Sequence, residues 1–242
     1  LLFEVKAATR MLIDPLLAVV FPSRCAACGQ ALLQPLGGPL CAGCWDALPR
    51  HTGGCRCGHP RAATGLCGRC RRGLTPFSRG CSLGPYEGPL KVLVHELKYR
   101  GKRRVAERLA ERLLAEPHVL ELLEEGVLLV PVPLHPRRRD ERGFNQSELL
   151  ARALARRTGL HVASTALVRR KDTPPQTGLR AAQRRRNLRG AFCVRRRALL
   201  DGRRIVLVDD VLTTGATAAA CARALREAGA REVRLLTLAR AI

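Results

Sequence analysis

Two adjacent carboxylates, Asp209 and Asp210, follow the aliphatic run Ile205-Val206-Leu207-Val208 and precede the turn Thr213-Thr214-Gly215-Ala216-Thr217. The aliphatic run reads as a buried strand over 204–208, and the alanine-rich stretch after the turn as a helix over 216–228. In an open α/β sheet, ligands gather beyond the carboxyl ends of the strands, which puts Asp209 and Asp210 at that edge. The segment that enters the helix, Val211, Leu212 and Thr213 to Thr217, supplies backbone N–H groups, the positive end of a helix dipole and three hydroxyls, all suited to a phosphate. Gly215 lets the backbone approach closely. Two acids beside such a cradle repel the ligand unless they hold another part of it. The hydroxyls of a vicinal diol are natural donors to a carboxylate, and a divalent metal could also bridge diol and pyrophosphate. The stretch therefore reads as a clamp for ribose 5-phosphate. Neither a Gly-Lys-Ser/Thr P-loop nor a Gly-x-Gly-x-x-Gly fingerprint is present. The bland alternative is an acid-capped strand end before a Thr-rich helix start, which the whole pattern disfavours.

A second chemistry lies at the other end of the chain. Of eleven cysteines, nine fall between residues 25 and 81. Cys25-x2-Cys28 and Cys41-x2-Cys44 have the spacing of a closed tetrahedral zinc site, in which each tight turn supplies two thiolates. Cys55-x-Cys57 with Cys67-x2-Cys70 is a second set, one residue short in its first turn. A second zinc is favoured there, with His59 as an alternative ligand. Whether the pairs join in order or cross-braced is open from sequence. A disulfide framework is the weaker reading for a chain expected in the cytoplasm. Cys81, Cys193 and Cys221 stand alone and are expected to pack as small hydrophobes.

Positioning these residues requires a scaffold. Helices are expected over 89–99, 102–123 and 144–158, and strands over 127–133, near 161–168 and over 232–238, besides the strand and helix around the acids. Strands alternating with helices predict an α/β fold with a mainly parallel sheet. The cysteine-rich segment forms a small domain ahead of it. The expected division is an amphipathic N-terminal helix over 1–24, a double zinc-ribbon-like domain over 25–80, and the α/β domain over 81–242. The opening apolar stretch carries Glu4, Lys6, Arg10, Asp14 and Pro15, so no membrane span is expected.

The chain of 242 residues carries a formal charge of +23, with 38 arginines against 5 lysines. Such an excess faces solvent or anions, which makes phosphate-rich ligands and nucleic acid candidate partners. Codon bias is an equally weighted origin for the excess, but the charge acts alike in either case. It concentrates in two connections: Arg137, Arg138, Arg139 and Arg142 before the helix near Phe144, and eight basic residues against one acid from Arg169 to Arg189.

The run VLVDDVLTTGAT (206–217) resembles the 5-phosphoribosyl-1-pyrophosphate (PRPP) signature of type I phosphoribosyltransferases. VPVPLHPRRRDERGFNQSELLA (130–151), together with the cysteine-rich head, resembles the ComF family of competence-associated proteins. So do residues 86–110 and 173–192. The resemblance implies a type I phosphoribosyltransferase fold behind a double zinc ribbon. It implies that Arg137, Arg138 and Arg142 lie in a pyrophosphate-side loop whose motif also holds Gly143, Asn145 and Gln146. It further implies that Gln176, Arg184 and Asn187 belong to a lid over PRPP. Lys98, Tyr99 and Gly101 also match the family, without a role that sequence reveals.

Two functions compete on this reading. One is an enzyme that binds Mg²⁺-PRPP through Asp209, Asp210 and the 211–217 segment and releases pyrophosphate toward the arginines. The other is a binding module that keeps the PRPP site and holds single-stranded DNA, or a protein of the DNA-import machinery. With aromatics at only 3% of residues, DNA binding would be chiefly electrostatic.

Overall fold

The computed structural model describes residues 23–32, 38–50, 55, 57–58, 66–73, 75–101, 103–171, 188 and 190–241. Two short helices, α1 (Ala42–Asp46) and α2 (Gly68–Arg71), lie in the cysteine-rich head. There follow β1 (Gly80–Pro85), α3 (Gly88–Arg100), α4 (Arg103–Leu114), α5 (Pro117–Leu122) and β2 (Leu128–Pro131). The chain continues with α6 (Pro136–Arg142), α7 (Gln146–Thr158), β3 (His161–Val162), β4 (Leu167–Arg169) and β5 (Phe192–Val194). It closes with β6 (Arg204–Leu212), α8 (Ala216–Glu227) and β7 (Glu232–Arg240).

Five strands form one parallel sheet in the order β1-β7-β6-β2-β3. β6 is central because Ile205 to Val208 leave neither face polar, as a strand covered on both sides requires. Its alternation separates the two cores. Val206 and Val208 pack with the apolar faces of α3, α4, α5 and α7, whereas Ile205 and Leu207 pack with α8 and the β4–β5 pair. The buried face of α4 is Val105, Ala106, Leu109, Ala110 and Leu113, a helical stripe opposite an arginine- and glutamate-rich side.

The head joins both cores. Cys25, Leu32, Leu40, Trp45 and Leu48 merge with the α3–α4 side, and Cys55, Cys57, Cys70 and Phe77 with the α8 side. Arg108 stacks 3.8 Å from the Trp45 ring centroid, and Arg112 donates to the Pro49 carbonyl at 3.3 Å. A methyl group on Gly84 of β1 would stand 2.2 Å from Pro49 Cγ, so the head lies directly on the first strand.

Several expectations need correction. The helix expected over 102–123 is two helices, because Pro117 has no N–H to continue α4 and holds Glu116 extended, at φ −95° and ψ 120°. The turn carrying Arg137, Arg138 and Arg142 contains the short helix α6, with Pro136 in its first turn. Strand β6 runs four residues beyond Val208, since β7 continues alongside it with Asp209 opposite Thr237 and Leu212 opposite Arg240. β1 and β5 were not expected, and the single strand expected near 161–168 is two, β3 in the main sheet and β4 paired with β5. The antiparallel β4–β5 ladder brackets the basic connection, most of which lies outside the described residues. The N-terminal helix expected over 1–24 also lies outside them, apart from Ser23 and Arg24. Among the described residues, no helix is long and apolar enough to cross a membrane.

Candidate functional site

The acids are placed by β6, and three other segments converge on them. Asp210 is buried, and its Oδ2 lies 3.1 Å from Lys98 Nζ. Lys98 comes from the last turn of α3, a helix whose apolar stripe includes Leu90, Val94 and Leu97. Burial by itself would lower the Lys98 pKa, but the charge of Asp210 and its hydrogen bond outweigh this and raise it. Asp209 accepts from Ser147 Oγ at 3.1 Å and from the Asp210 backbone N–H at 2.9 Å, while the Val211 N–H donates to Asp210 Oδ1 at 2.7 Å. Burial first, then the negative charge of Asp210, push the Asp209 carboxyl up to about 7 despite these hydrogen bonds and Lys98.

Ser147 is held by the start of α7. Asn145 caps that helix by accepting from the Ser147 N–H at 3.1 Å, and its amide donates to the Val132 carbonyl at 3.0 Å. The cap thus ties α7 to the end of β2 and fixes the hydroxyl that reaches Asp209.

Beyond the acids, Val211 and Leu212 finish β6, and Thr213, Thr214 and Gly215 make the turn. Gly215 stands as N-cap of α8 at φ 71°, where a side chain would be strained. Ala216 and Thr217 open α8, whose first-turn N–H groups have no acceptor within the helix. Thr213 is exposed, whereas Thr214 and Thr217 are half-buried.

Arg142, at the end of α6, lies 5.3 Å from the Tyr99 ring centroid and donates to Gln146 Oε1 at 3.4 Å. Tyr99 follows Lys98, so the ends of α3 and α6 meet beside the acids. Gly101 is required there, since a Cβ on it would stand 2.6 Å from Phe144. Arg137 faces solvent and pairs with Glu141 at 3.2 Å, and Arg138 is half-buried. Gln176, Arg184 and Asn187 lie outside the described residues. Lys98 and Ser147 are contacts that sequence reasoning missed. A lysine in register with the apolar stripe of α3 was the available signal for the first.

The cysteines form two four-thiol groups, Cys25/Cys28/Cys41/Cys44 and Cys55/Cys57/Cys67/Cys70, with the four sulfurs of each group within 4.8 Å of one another. The pairs therefore join in order. Tetrahedral zinc with Zn–S near 2.3 Å needs sulfurs about 3.8 Å apart. Cys28 and Cys41 are 3.7 Å apart, and Cys57 and Cys67 are 3.6 Å apart. Backbone N–H groups also point at sulfur, from Cys41 to Cys25 and from Cys67 to Cys55. The short Cys-x-Cys is accommodated by a tighter turn. Gly29 N–H bonds back four residues to the Cys25 carbonyl at 2.9 Å, and Gly58 bonds back three, to Cys55, at 2.7 Å. Both glycines sit at positive φ, 78° and 75°. The second group is complete without His59, which lies outside the described residues.

Residues 145–242 match the phosphoribosyl transferase domain family, and residues 16–75 match the double zinc ribbon domain family. The DNA utilization protein YhgH of Salmonella typhimurium is 37% identical over 227 residues, covering 91% of this chain and 98% of that protein. The chain belongs to the ComF family. Competence protein F of Haemophilus influenzae is 32% identical over 232 residues, covering 91% of this chain and 98% of its own. Competence protein ComFC of Bacillus subtilis is 28% identical over 210 residues, covering 83% and 84%. In this ComF-family chain the phosphoribosyltransferase match begins at the α7 cap, and β1 and β2, which precede it, complete the same sheet.

Two predictions follow from this geometry. Metal analysis of the folded chain should give close to two zinc ions, and Cys57→Ser should remove one of them. A zinc-free chain whose head still resists protease would contradict the ribbon assignment. The second concerns Asp209. Between about pH 4, where an unfolded carboxylate ionises, and about pH 7, where the folded one does, the folded state binds more protons. Stability therefore falls as pH rises through this window. Asp209→Asn keeps both acceptor contacts and removes that cost, so its urea midpoint should exceed the parent's at pH 8 and match it near pH 4. Equal gains at both pH values would mean that Asp209 is not the titrating group.

Proposed function

We propose that this chain binds PRPP as its magnesium complex and acts on it as a phosphoribosyltransferase, releasing pyrophosphate. The observation that carries this reading is the acid pair of β6, a strand that leads through Thr213 and Thr214 to the N-cap of α8, with the acids contacted by Lys98 and Ser147. On this reading Asp209 and Asp210 accept from the ribose hydroxyls, and the Thr213–Thr217 turn holds the 5-phosphate with its N–H groups and hydroxyls. Lys98 offsets one carboxylate, so an anionic ligand meets at most one negative charge rather than two. Arg137, Arg138 and Arg142 stand on the pyrophosphate side, and Gln176, Arg184 and Asn187 on the lid. Their role would be to meet the charge that develops on the leaving group and to exclude water. Magnesium supplies charge neutralisation to the pyrophosphate when bound with it. The acceptor is a nitrogenous base or related nucleophile that attacks the anomeric carbon. The names of the relatives support a role connected with DNA utilisation and competence.

A second reading, that the chain holds single-stranded DNA, is favoured by one observation. Arg24, Arg100, Arg103 and Arg104 line a groove of about 540 Å³, and Arg103 also lines a second of about 510 Å³ with Arg139, Arg152 and Arg156. If four to seven of these meet phosphates, log affinity should fall against log salt with a slope between about −3 and −5. Filter binding of unrelated oligonucleotides across a salt series measures it, and salt-insensitive or strongly sequence-selective binding would refute the electrostatic picture.

The two readings separate on one variant. Asp209→Asn with Asp210→Asn removes charge-assisted acceptors worth about 1.5–3 kcal/mol each, so PRPP affinity should fall at least about tenfold. DNA affinity should stay level or rise, since removing negative charge cannot weaken attraction to phosphates. Calorimetry with PRPP and Mg²⁺ checks the first, and unchanged PRPP affinity would refute the site. Pyrophosphate release with a panel of bases then tests turnover.

A further inference from the structure

One arginine near the end of the last strand links the second cysteine group to the phosphate turn. Arg240 is buried, 7% exposed, although it carries a guanidinium. Its Nη1 donates to the Cys57 carbonyl at 2.9 Å and lies 3.5 Å from Cys57 Sγ. Its backbone pairs with Leu212 in the sheet, and the next residue, Ala241, donates to the Leu212 carbonyl at 3.0 Å. Leu212 leads directly into Thr213, Thr214 and Gly215. The space that Cys57, Phe77 and Arg240 share with Leu212, Thr214 and Gly215 measures about 10 Å³, room for at most one water.

The contact is close on the backbone as well. A Cβ on Gly80 would stand 2.9 Å from the Cys57 carbonyl oxygen, and a Cβ on Gly58 would stand 3.0 Å from the Gly80 carbonyl oxygen. The Cys57–Gly58 turn thus rests on the start of β1 with no side chain between. Nothing in this junction yields without moving its neighbour, because packed interiors transmit displacement.

We propose that Arg240 is a positioning residue for the phosphate turn, and that metal at Cys55/Cys57/Cys67/Cys70 sets PRPP affinity through it. The metal fixes Cys57, and Cys57 gives Arg240 its acceptors. Arg240 in turn holds the end of β6 from which the turn departs. When the metal leaves and the Cys55–Gly58 turn loosens, a buried guanidinium loses those acceptors and must relocate. The register of Leu212 to Gly215 loosens with it. The first cysteine group packs into the other core, whereas Leu212 lies in the core of the second. This inference rests on the PRPP reading of the turn.

Linkage makes the effect reciprocal: if the metal strengthens PRPP binding, PRPP must strengthen metal retention by the same factor. The test uses the full zinc-loaded chain with a zinc chelator and an alkylating agent, with and without Mg²⁺-PRPP. Modified cysteines are mapped by peptide mass. PRPP should slow modification of Cys55, Cys57, Cys67 and Cys70 by about five- to tenfold and leave Cys25, Cys28, Cys41 and Cys44 within about twofold. Arg240→Met should abolish that difference and weaken PRPP binding by a similar factor. Arg240→Lys keeps the charge without the fork, and carries the same comparison if the first variant does not fold. PRPP binding by the parent with no change in cysteine release overturns this inference alone. Protection of both cysteine groups alike also overturns it, since that is general stabilisation by a ligand. Absence of PRPP binding by the parent overturns the site reading and this inference together.

Discussion

A carboxylate at the end of a central parallel strand has protein on both sides and little water, so each acid of β6 needs partners from elsewhere in the chain. Asp210 takes Lys98 from α3, and Asp209 takes Ser147 from α7 together with the backbone N–H of its own neighbour. Lys98 is itself largely buried and tolerable there only because Asp210 faces it. The cap at Asn145 exists in the same relation to Ser147, since without it the hydroxyl has no fixed direction. One strand end therefore constrains two helices and a cap. The cost remains on Asp209, whose carboxyl has hydrogen bonds but, among the described residues, shares its one nearby cation, Lys98, with Asp210 and is pushed up to about 7.

The elements legible from sequence were those whose pattern is strong over their own length. The aliphatic stretch of β6, the alanine-rich α8 and the amphipathic α7 need no outside help to be recognised. β1 reads Gly-Cys-Ser-Leu-Gly-Pro, a composition typical of connections, and is a strand only because β7 lies beside it with an open edge. The end of β6 was misplaced for the same reason. Acids ordinarily mark the end of a strand, and here the neighbouring strand carries the ladder four residues past Val208. α6 was missed because seven residues rich in arginine show no apolar stripe at all.

The candidate site was legible as types of residue and not as partners. Asp209, Asp210 and the threonine turn are contiguous, and their chemistry could be argued from order alone. Lys98 is more than a hundred residues away, and nothing local distinguishes it from a solvated lysine except its register with Leu90, Val94 and Leu97. The cysteines divide in the same way. Ligand spacing identified both groups, yet pairing in order depends on how the turns stack. The shortened Cys55-x-Cys57 looked defective because sequence counts residues, whereas the sulfurs need only meet near one point. A three-residue bond at Gly58 in place of the four-residue bond at Gly29 achieves that.

A chain of charge +23 places two carboxylates at the spot where it is read to bind a phosphate ester, and the two facts have separate consequences. The arginines raise the local concentration of any polyanion, but at physiological salt that attraction is screened beyond about 8 Å and does not distinguish one phosphate from another. Discrimination has to come from contact. On the proposed reading, inorganic phosphate or pyrophosphate entering the turn brings its full negative charge up to Asp209 and Asp210 and has no vicinal diol to donate to them. A ribose phosphate presents two hydroxyls. The same acids that weaken binding of the simple anion then accept from the sugar, so selectivity arises as much from repulsion of the wrong ligand as from attraction of the right one. Lys98 sets the strength of that repulsion by neutralising one of the two acids, which leaves the other, Asp209, as the group whose charge a ligand must reckon with.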